Sequence, residues 1–378
     1  MSRYTARATG GIDTARVSVC VPPGEGIAMK DACRPLVLAG LLLAAAASAA
    51  PLRAAPAPSK VTPELIAAAK KEGRVVWYTS IELRTAQKIA DAFKKAYPGI
   101  AVQVERNGAE RLIRRLAQER AANIHVADAI ECSDMTALLS WKQQGWLAPF
   151  VPQDVADKWP ADQKDPDGYY ATERFTLSPI AYNPKLVEPG DVPKSFADLL
   201  DKKWDGRIVK AHPGYSGTIM TVTFELSRVL GWDYFQKLGQ LHVMQVQAAT
   251  EPAVKVAAGE RAIAADGVEY YLLQIRAKGG SIEPVYPIEG TPMIAGGAGV
   301  LVDAPHPNAA RLFTLYLFSR DGQQALCDIG WMRSFDPAVV PHAGEKPLSE
   351  IKLLEADPAQ QAADTAEIKK KYAKYFGI

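Results

Sequence analysis

The stretch Arg207-Ile-Val-Lys-Ala-His-Pro-Gly-Tyr-Ser-Gly-Thr218 decides how the chain is read. Arg207 to Ala211 is a short apolar, β-branched run that reads as a strand, and Ile219 to Leu230 carries on as a helix. Pro213-Gly214 stops the strand and Ser216-Gly217-Thr218 opens the helix. The first backbone N–H groups of that helix therefore have no partner inside it and point outward. The helix dipole adds about half a positive charge there. Gly217, with no side chain, lets a ligand oxygen come close to the backbone. A plain capped helix start has the same sequence, so an anion seat here depends on what the rest of the chain brings alongside.

Outward from this turn, strand and helix alternate. Thr62-Pro63-Glu64 caps a helix that Glu72-Gly73 ends, and Arg74 to Thr79 is a buried strand. Leu83, Ala86, Ile89, Ala90, Phe93 and Tyr97 form one helical face, stopped by Pro98-Gly99. Ile100 to Glu105 alternates as a strand, Ala109 to Ala122 is a basic amphipathic helix, Val126 to Glu131 is a third strand and Met135 to Gln144 another helix. Such alternation predicts a parallel sheet with ligands at the carboxyl ends of its strands. Those ends are Tyr78-Thr79-Ser80, Arg106-Asn107-Gly108 and Glu131-Cys132-Ser133-Asp134.

Tyr169 to Asn183 reads as extended chain crossing to a second region. There the alternation repeats through the opening stretch, a strand at Arg261 to Ala265 and a helix that Gly267-Val-Glu-Tyr-Tyr271 begins. Strands at Ser281 to Tyr286 and Met293 to Val302, then helices at Pro307 to Phe318 and Gly322 to Ile329, suggest a return to the first region. Asp364 to Tyr375 is a terminal helix docked on the outside. The expected fold class is α/β with two lobes: 73–178 with 287–335, and 179–286 with 336–378, preceded by a linker and first helix over 56–72.

The 378 residues suit two lobes of ordinary domain size. A hydrophobic content of 48%, a charged content of 23% and a net charge of +2 suit a globular protein and argue against nucleic acid as the main partner. Residues 1–28 lack apolar periodicity and read as an upstream extension before Met29. Residues 29–55 read as a signal peptide: a basic start, an apolar run and Ala47-Ser48-Ala49 as a cleavage site. The run is too short and Ala-rich for a membrane anchor, so an exported, periplasmic protein is expected. Cys20 and Cys33 would leave with the leader. Cys132 and Cys327 remain, as two separate buried thiols or one bridge.

Several segments together resemble a known family, the periplasmic solute-binding proteins of ABC importers around the ferric-ion-binding proteins. They are Val75-Val-Trp-Tyr-Thr79, Ala127-Asp-Ala-Ile-Glu131 leading to Gly145-Trp-Leu-Ala-Pro149, Tyr215-Ser-Gly-Thr218, Val268-Glu-Tyr-Tyr271, Gly299-Val-Leu301 before His306-Pro-Asn-Ala-Ala310, and Ser319-Arg-Asp-Gly-Gln323. The resemblance implies a type II periplasmic-binding-protein fold, each lobe a mainly parallel sheet flanked by helices, with the ligand in the cleft and hinge closure around it. It also implies delivery to an inner-membrane permease, by a monomer, with no resident cofactor. Ferric members hold Fe³⁺ with two tyrosines, a histidine and a glutamate, plus an anion at a Ser-Gly-Thr helix start. Tyr270 and Tyr271 match the tyrosines, and Ser216, Gly217 and Thr218 match the anion seat. Glu82 stands at the histidine position and Ser133 at the glutamate position.

Two ligand classes follow. Fe³⁺ wants anionic oxygen, which Glu82, Tyr270 and Tyr271, with Glu131 or Glu269 nearby, can supply. Arg84 and Arg106, beside Thr79, Ser80 and Ser133, suit a carboxylate, phosphonate or phosphate ester that a guanidinium can clasp, and would repel a bare cation. The alternative from another class is an exported hydrolase using the same cleft. Neither a Gly-x-Ser-x-Gly elbow, a His-Glu-x-x-His helix nor a P-loop is present.

Overall fold

The computed structural model describes residues 55–378, so the upstream extension and all but the last residue of the expected leader lie outside the described residues. The strands, in chain order, are β1 Arg74–Thr79, β2 Ala101–Arg106, β3 Ala129–Cys132, β4 Leu147–Ala148, β5 Ala171–Leu177, β6 Ile180–Tyr182, β7 Ile208–Ala211, β8 Met244–Val246, β9 Ile263–Ala264, β10 Glu283–Val285, β11 Thr291–Leu301 and β12 Leu353–Glu355. They form two sheets. The first has the order β12-β11-β3-β1-β2, with β4 and β5 also paired to β11; the second runs β10-β6-β9-β7-β8.

Each sheet has a parallel centre extended by antiparallel strands. In the first, β1 pairs in parallel with β2 and β3, and β11 runs antiparallel to β3 and β5. In the second, β7 is parallel to β8 and β9 while β6 is antiparallel to β9. The chain leaves the first sheet after β5 and returns to it with β11. Residues 336–378 were expected in the second lobe, but Leu353–Glu355 pairs with β11 in the first sheet. Three residues flanked by loops leave too short a pattern to read as an edge strand.

The elements form for local reasons. Helix Leu83–Ala96 is capped by the Glu82 carboxylate, which accepts from the Thr85 N–H at 3.0 Å, and its buried face sets Phe93 edge-on to Phe313 with centroids 5.0 Å apart. Trp77, Phe93 and Phe313 anchor one core, while Phe196, Trp204, Phe235 and Tyr372 anchor the other. Ile294 of β11 reaches the second core from the first sheet. Helix Pro358–Phe376 starts earlier than Asp364, at the Asp357 cap. It buries Tyr372 completely and bridges both sides, since Lys369 Nζ donates to Glu110 at 2.7 Å. Cys132 and Cys327 are both free and buried, the two-thiol alternative.

Candidate functional site

The opening turn is held by its own side chains. His212 Nδ1 accepts from the Gly214 N–H at 2.8 Å, and burial lowers the basicity of this imidazole, which suits an acceptor nitrogen. Ser216 caps helix Gly217–Leu230 by accepting from the Ile219 N–H at 3.4 Å. The N–H groups of Gly217 and Thr218 precede the first intrahelical bond and stay open. Behind the turn, Lys210 Nζ donates to Asp266 at 2.6 Å, and Asp266 also accepts from the Ala211 N–H at 3.0 Å. That buried pair ties the end of β7 to the loop before helix Glu269–Ala277, fixing Tyr270 relative to Ser216.

On the opposite side, Glu131 gathers the strand ends. Its carboxylate accepts from Thr79 Oγ1 at 2.7 Å, the Ser80 N–H at 2.8 Å, Ser80 Oγ at 3.1 Å and Arg174 Nη2 at 2.7 Å. Ser80 Oγ in turn accepts from the Ser133 N–H at 2.9 Å. Both Glu131 and Arg174 are buried, on adjacent parts of β3 and β5. The ladder between β5 and β11 slips one residue at Gly296/Gly297 beside them. A side chain at Gly296 would come within 2.8 Å of Glu131 Oε1 and 3.0 Å of Arg174 Cζ, so the glycine and its bulge make room for the ion pair.

Between these two assemblies lies an open cleft with a cavity volume of about 170 Å³. Of the expected site residues, Ser80, Arg106 and Ser133 line it from the first sheet, and Ser216, Gly217, Thr218 and Tyr270 from the second. Thr79 is wholly buried beneath the wall, its hydroxyl used by Glu131 and by the Ile81 N–H. Arg84 and Tyr271 do not reach the cleft: Arg84 is exposed in the first turn of its helix, and Tyr271 packs between two apolar cores. Glu82, expected as a metal ligand, is engaged as a helix cap. Among the described residues, no group of three or more His, Cys, Asp or Glu side chains is placed to hold a metal ion.

The cleft also contains residues that the sequence reading did not select. Arg174 and Thr176 form its floor from β5; Arg111 and Arg114 line it from helix Ala109–Ala121; and 247–250 close the far rim. Arg111 and Arg114 lie one turn apart on the basic face already visible in the sequence, a signal that could have found them. With Arg106 and Arg174 they bring four guanidinium groups to the cleft against one lining carboxylate, Glu110. Tyr270 has its phenol pushed up by burial, which outweighs the opposing pull of Arg174 and Arg106, so at neutral pH it is a hydrogen-bond donor.

Helix Glu269–Ala277 is set by a buried ion pair behind the cleft. Arg333 donates to Glu269 from Nε at 2.7 Å and from Nη2 at 2.9 Å, and Tyr286 Oη donates to the same carboxylate at 2.6 Å. Glu345 stands 3.6 Å from Arg333, and burial, reinforced by Glu269, pushes its carboxyl from 4.5 up to about 7. The folded protein thus holds a proton that the unfolded chain releases. Stability from this group is fully present below about pH 4.5 and is lost as pH rises to about 7. Glu345→Gln is expected to lose less melting temperature than the wild type between pH 5 and pH 8; equal losses would count against this assignment.

The family model described as bacterial extracellular solute-binding protein matches residues 79–324. Iron uptake protein A2 of Synechocystis sp. is 26% identical over 268 residues, 65% of this chain and 73% of that protein. The periplasmic binding protein AfuA of Actinobacillus pleuropneumoniae, solved with fructose-6-phosphate bound, superposes with a TM-score of 0.74 at 21% identity, covering 81% of this chain and 99% of that one. Iron-bound HitA of Pseudomonas aeruginosa superposes with a TM-score of 0.70 at 23% identity, covering 79% and 99%. The chain belongs to the bacterial extracellular solute-binding proteins, transport proteins rather than enzymes, and has their two-lobed type II fold.

Proposed function

We propose that this protein captures a small organic anion in the periplasm, a phosphate ester or phosphonate before a carboxylate, and hands it to an ABC permease. The observation that carries the reading is the lining of the cleft: Arg106, Arg111, Arg114 and Arg174 stand around two open helix starts, at Ala109 and Gly217. Guanidinium forks and helix N-termini both favour anionic oxygen. A relative solved with fructose-6-phosphate and relatives named for iron support either ligand class by kinship alone. The local chemistry favours the anion. A bare ferric ion in this cleft would face four guanidinium groups against one carboxylate, Glu110, and the phenols of Tyr215 and Tyr270, with Glu82 and Tyr271 turned to other work.

Ligand binding is expected to stabilise the protein by about 2.7 kcal/mol when free ligand is about 100-fold above its dissociation constant. Thermal melts with inorganic phosphate, sugar monophosphates, phosphonates, carboxylates and ferric salts test this. Arg106→Ala is expected to weaken the best organic anion about tenfold, one charge-assisted hydrogen bond being worth about 1.5 kcal/mol, as read by calorimetry. A visible tyrosinate–iron band that Tyr270→Phe abolishes, with no response to any organic anion, would overturn the reading in favour of iron.

A further inference from the structure

We propose that Arg174 reads the charge of the ligand, making the cleft select a dianion such as a phosphate monoester over a monoanion of the same shape. The inference rests on the reading of the cleft as an anion site and names the residue within it that discriminates.

Arg174 differs in kind from the other three arginines. Arg106, Arg111 and Arg114 are exposed at the mouth, where solvent and salt screen them; they steer an anion inward but distinguish its charge weakly. Arg174 is 4% exposed and forms the floor beside Thr176 and Tyr270. Its Nη2 is taken by Glu131, but its Nε is buried and has no hydrogen-bond partner within the protein. A buried donor of that kind in a charged fork is a demand for an acceptor.

The carboxylate behind it is already shared. Glu131 also accepts from Thr79, from the Ser80 N–H and from the Ser80 hydroxyl, so it answers Arg174 with a charge spread over several donors. Glu173, next in sequence, gives Arg174 no hydrogen bond, both its carboxyl oxygens being buried without a partner, and burial, helped by the repulsion of Glu131, pushes its carboxyl well above the usual carboxylate range. Around the cleft, four guanidiniums face Glu110, which Lys369 already pairs, and the buried Glu131, so the guanidinium charge exceeds the carboxylate charge at the site. Because Coulomb energies grow as the dielectric falls, the second negative charge of a ligand is felt most at the buried Arg174. Arg174 also lies on β5, the strand from which the chain passes to the second sheet.

The test compares a hexose 6-phosphate, a dianion at pH 8, with the corresponding 6-sulfate, which has the same shape and one charge fewer. Calorimetry on the wild-type protein is expected to give at least a 30-fold preference for the phosphate. Arg174→Gln combined with Glu131→Gln replaces the ion pair by a neutral, smaller pair that can still hydrogen-bond and is expected to cut the preference to threefold or less. Arg106→Ala is expected to weaken both ligands by a similar factor. If the double variant does not fold, Arg174→Lys, which keeps a charge opposite Glu131 but removes Nε, is expected to lose at least tenfold in phosphate affinity. Wild-type protein that binds both esters equally, a double variant that keeps the wild-type preference, or Arg174→Lys that binds the phosphate as tightly as wild type would overturn the proposal. Wild-type protein that binds neither ester nor any other anion overturns the anion reading itself, and this inference with it.

Discussion

Glu131→Ala is expected to cost about 3–5 kcal/mol of folding stability, the usual loss when one partner of a buried ion pair is removed. The reason lies in what the carboxylate holds. With it gone, Arg174 remains buried with no counter-charge, and the Thr79 hydroxyl, the Ser80 N–H and the Ser80 hydroxyl lose their acceptor together. Thr79 is wholly buried while Ser80 borders the cleft, and all three donors share one carboxylate, so the losses fall on one connected network and do not add as independent terms. Glu131→Gln keeps an acceptor oxygen and the side-chain volume but not the charge, and is expected to lose less. Urea unfolding of the two variants separates the contributions: similar midpoints for alanine and glutamine would mean that the charge opposite Arg174 matters little to folding. Ligand binding by Glu131→Ala is expected to disappear as well, because Ser80 and Ser133 are set through that carboxylate.

The parts of this site that were legible in the sequence are those written in local pattern. Thr62-Pro63-Glu64, Ser216-Gly217-Thr218 and the apolar spacing from Leu83 to Tyr97 describe caps and faces, which depend on residues a few positions apart. What escaped is set by topology. Arg174 stands in Ala171–Leu177, a strand buried along its whole length, and a charge in such a run has no local meaning. Only the placement of β11 between β3 and β5 brings it to Glu131, 43 residues away. Tyr270 and Tyr271 show the other limit. Adjacent residues on a helix point about 100° apart, so a tyrosine pair read as one unit is split, one to the cleft and one to the core. Arg84 and Glu82 fail for a related reason: at a helix start the first residues serve the helix, and Glu82 caps it while Arg84 turns to solvent.

Gly217→Ala is expected to leave the fold as stable as before, or up to about 1 kcal/mol more stable, and yet to weaken ligand binding about 30-fold. Gly217 is the first residue of a regular helix, where alanine is the better helix former. Its Cβ would meet Asp134 Cβ at 2.8 Å, Ala109 Cβ at 3.0 Å and the Ser133 carbonyl oxygen at 3.4 Å, all on the opposite side of the cleft. Overpacking of this kind costs about 2 kcal/mol, and on the reading of the cleft as closing around its ligand it falls on the closed arrangement described here. A ligand held by both sides must supply that energy when it binds, so the apparent affinity drops by the corresponding factor. Small-angle scattering would show the wild type compacting with ligand and the variant compacting less at the same concentration. Unchanged affinity in Gly217→Ala would mean that the approach of Gly217 to Asp134 is incidental to capture, and that closure is limited by some other contact across the cleft, of which Lys369 to Glu110 is the next to test.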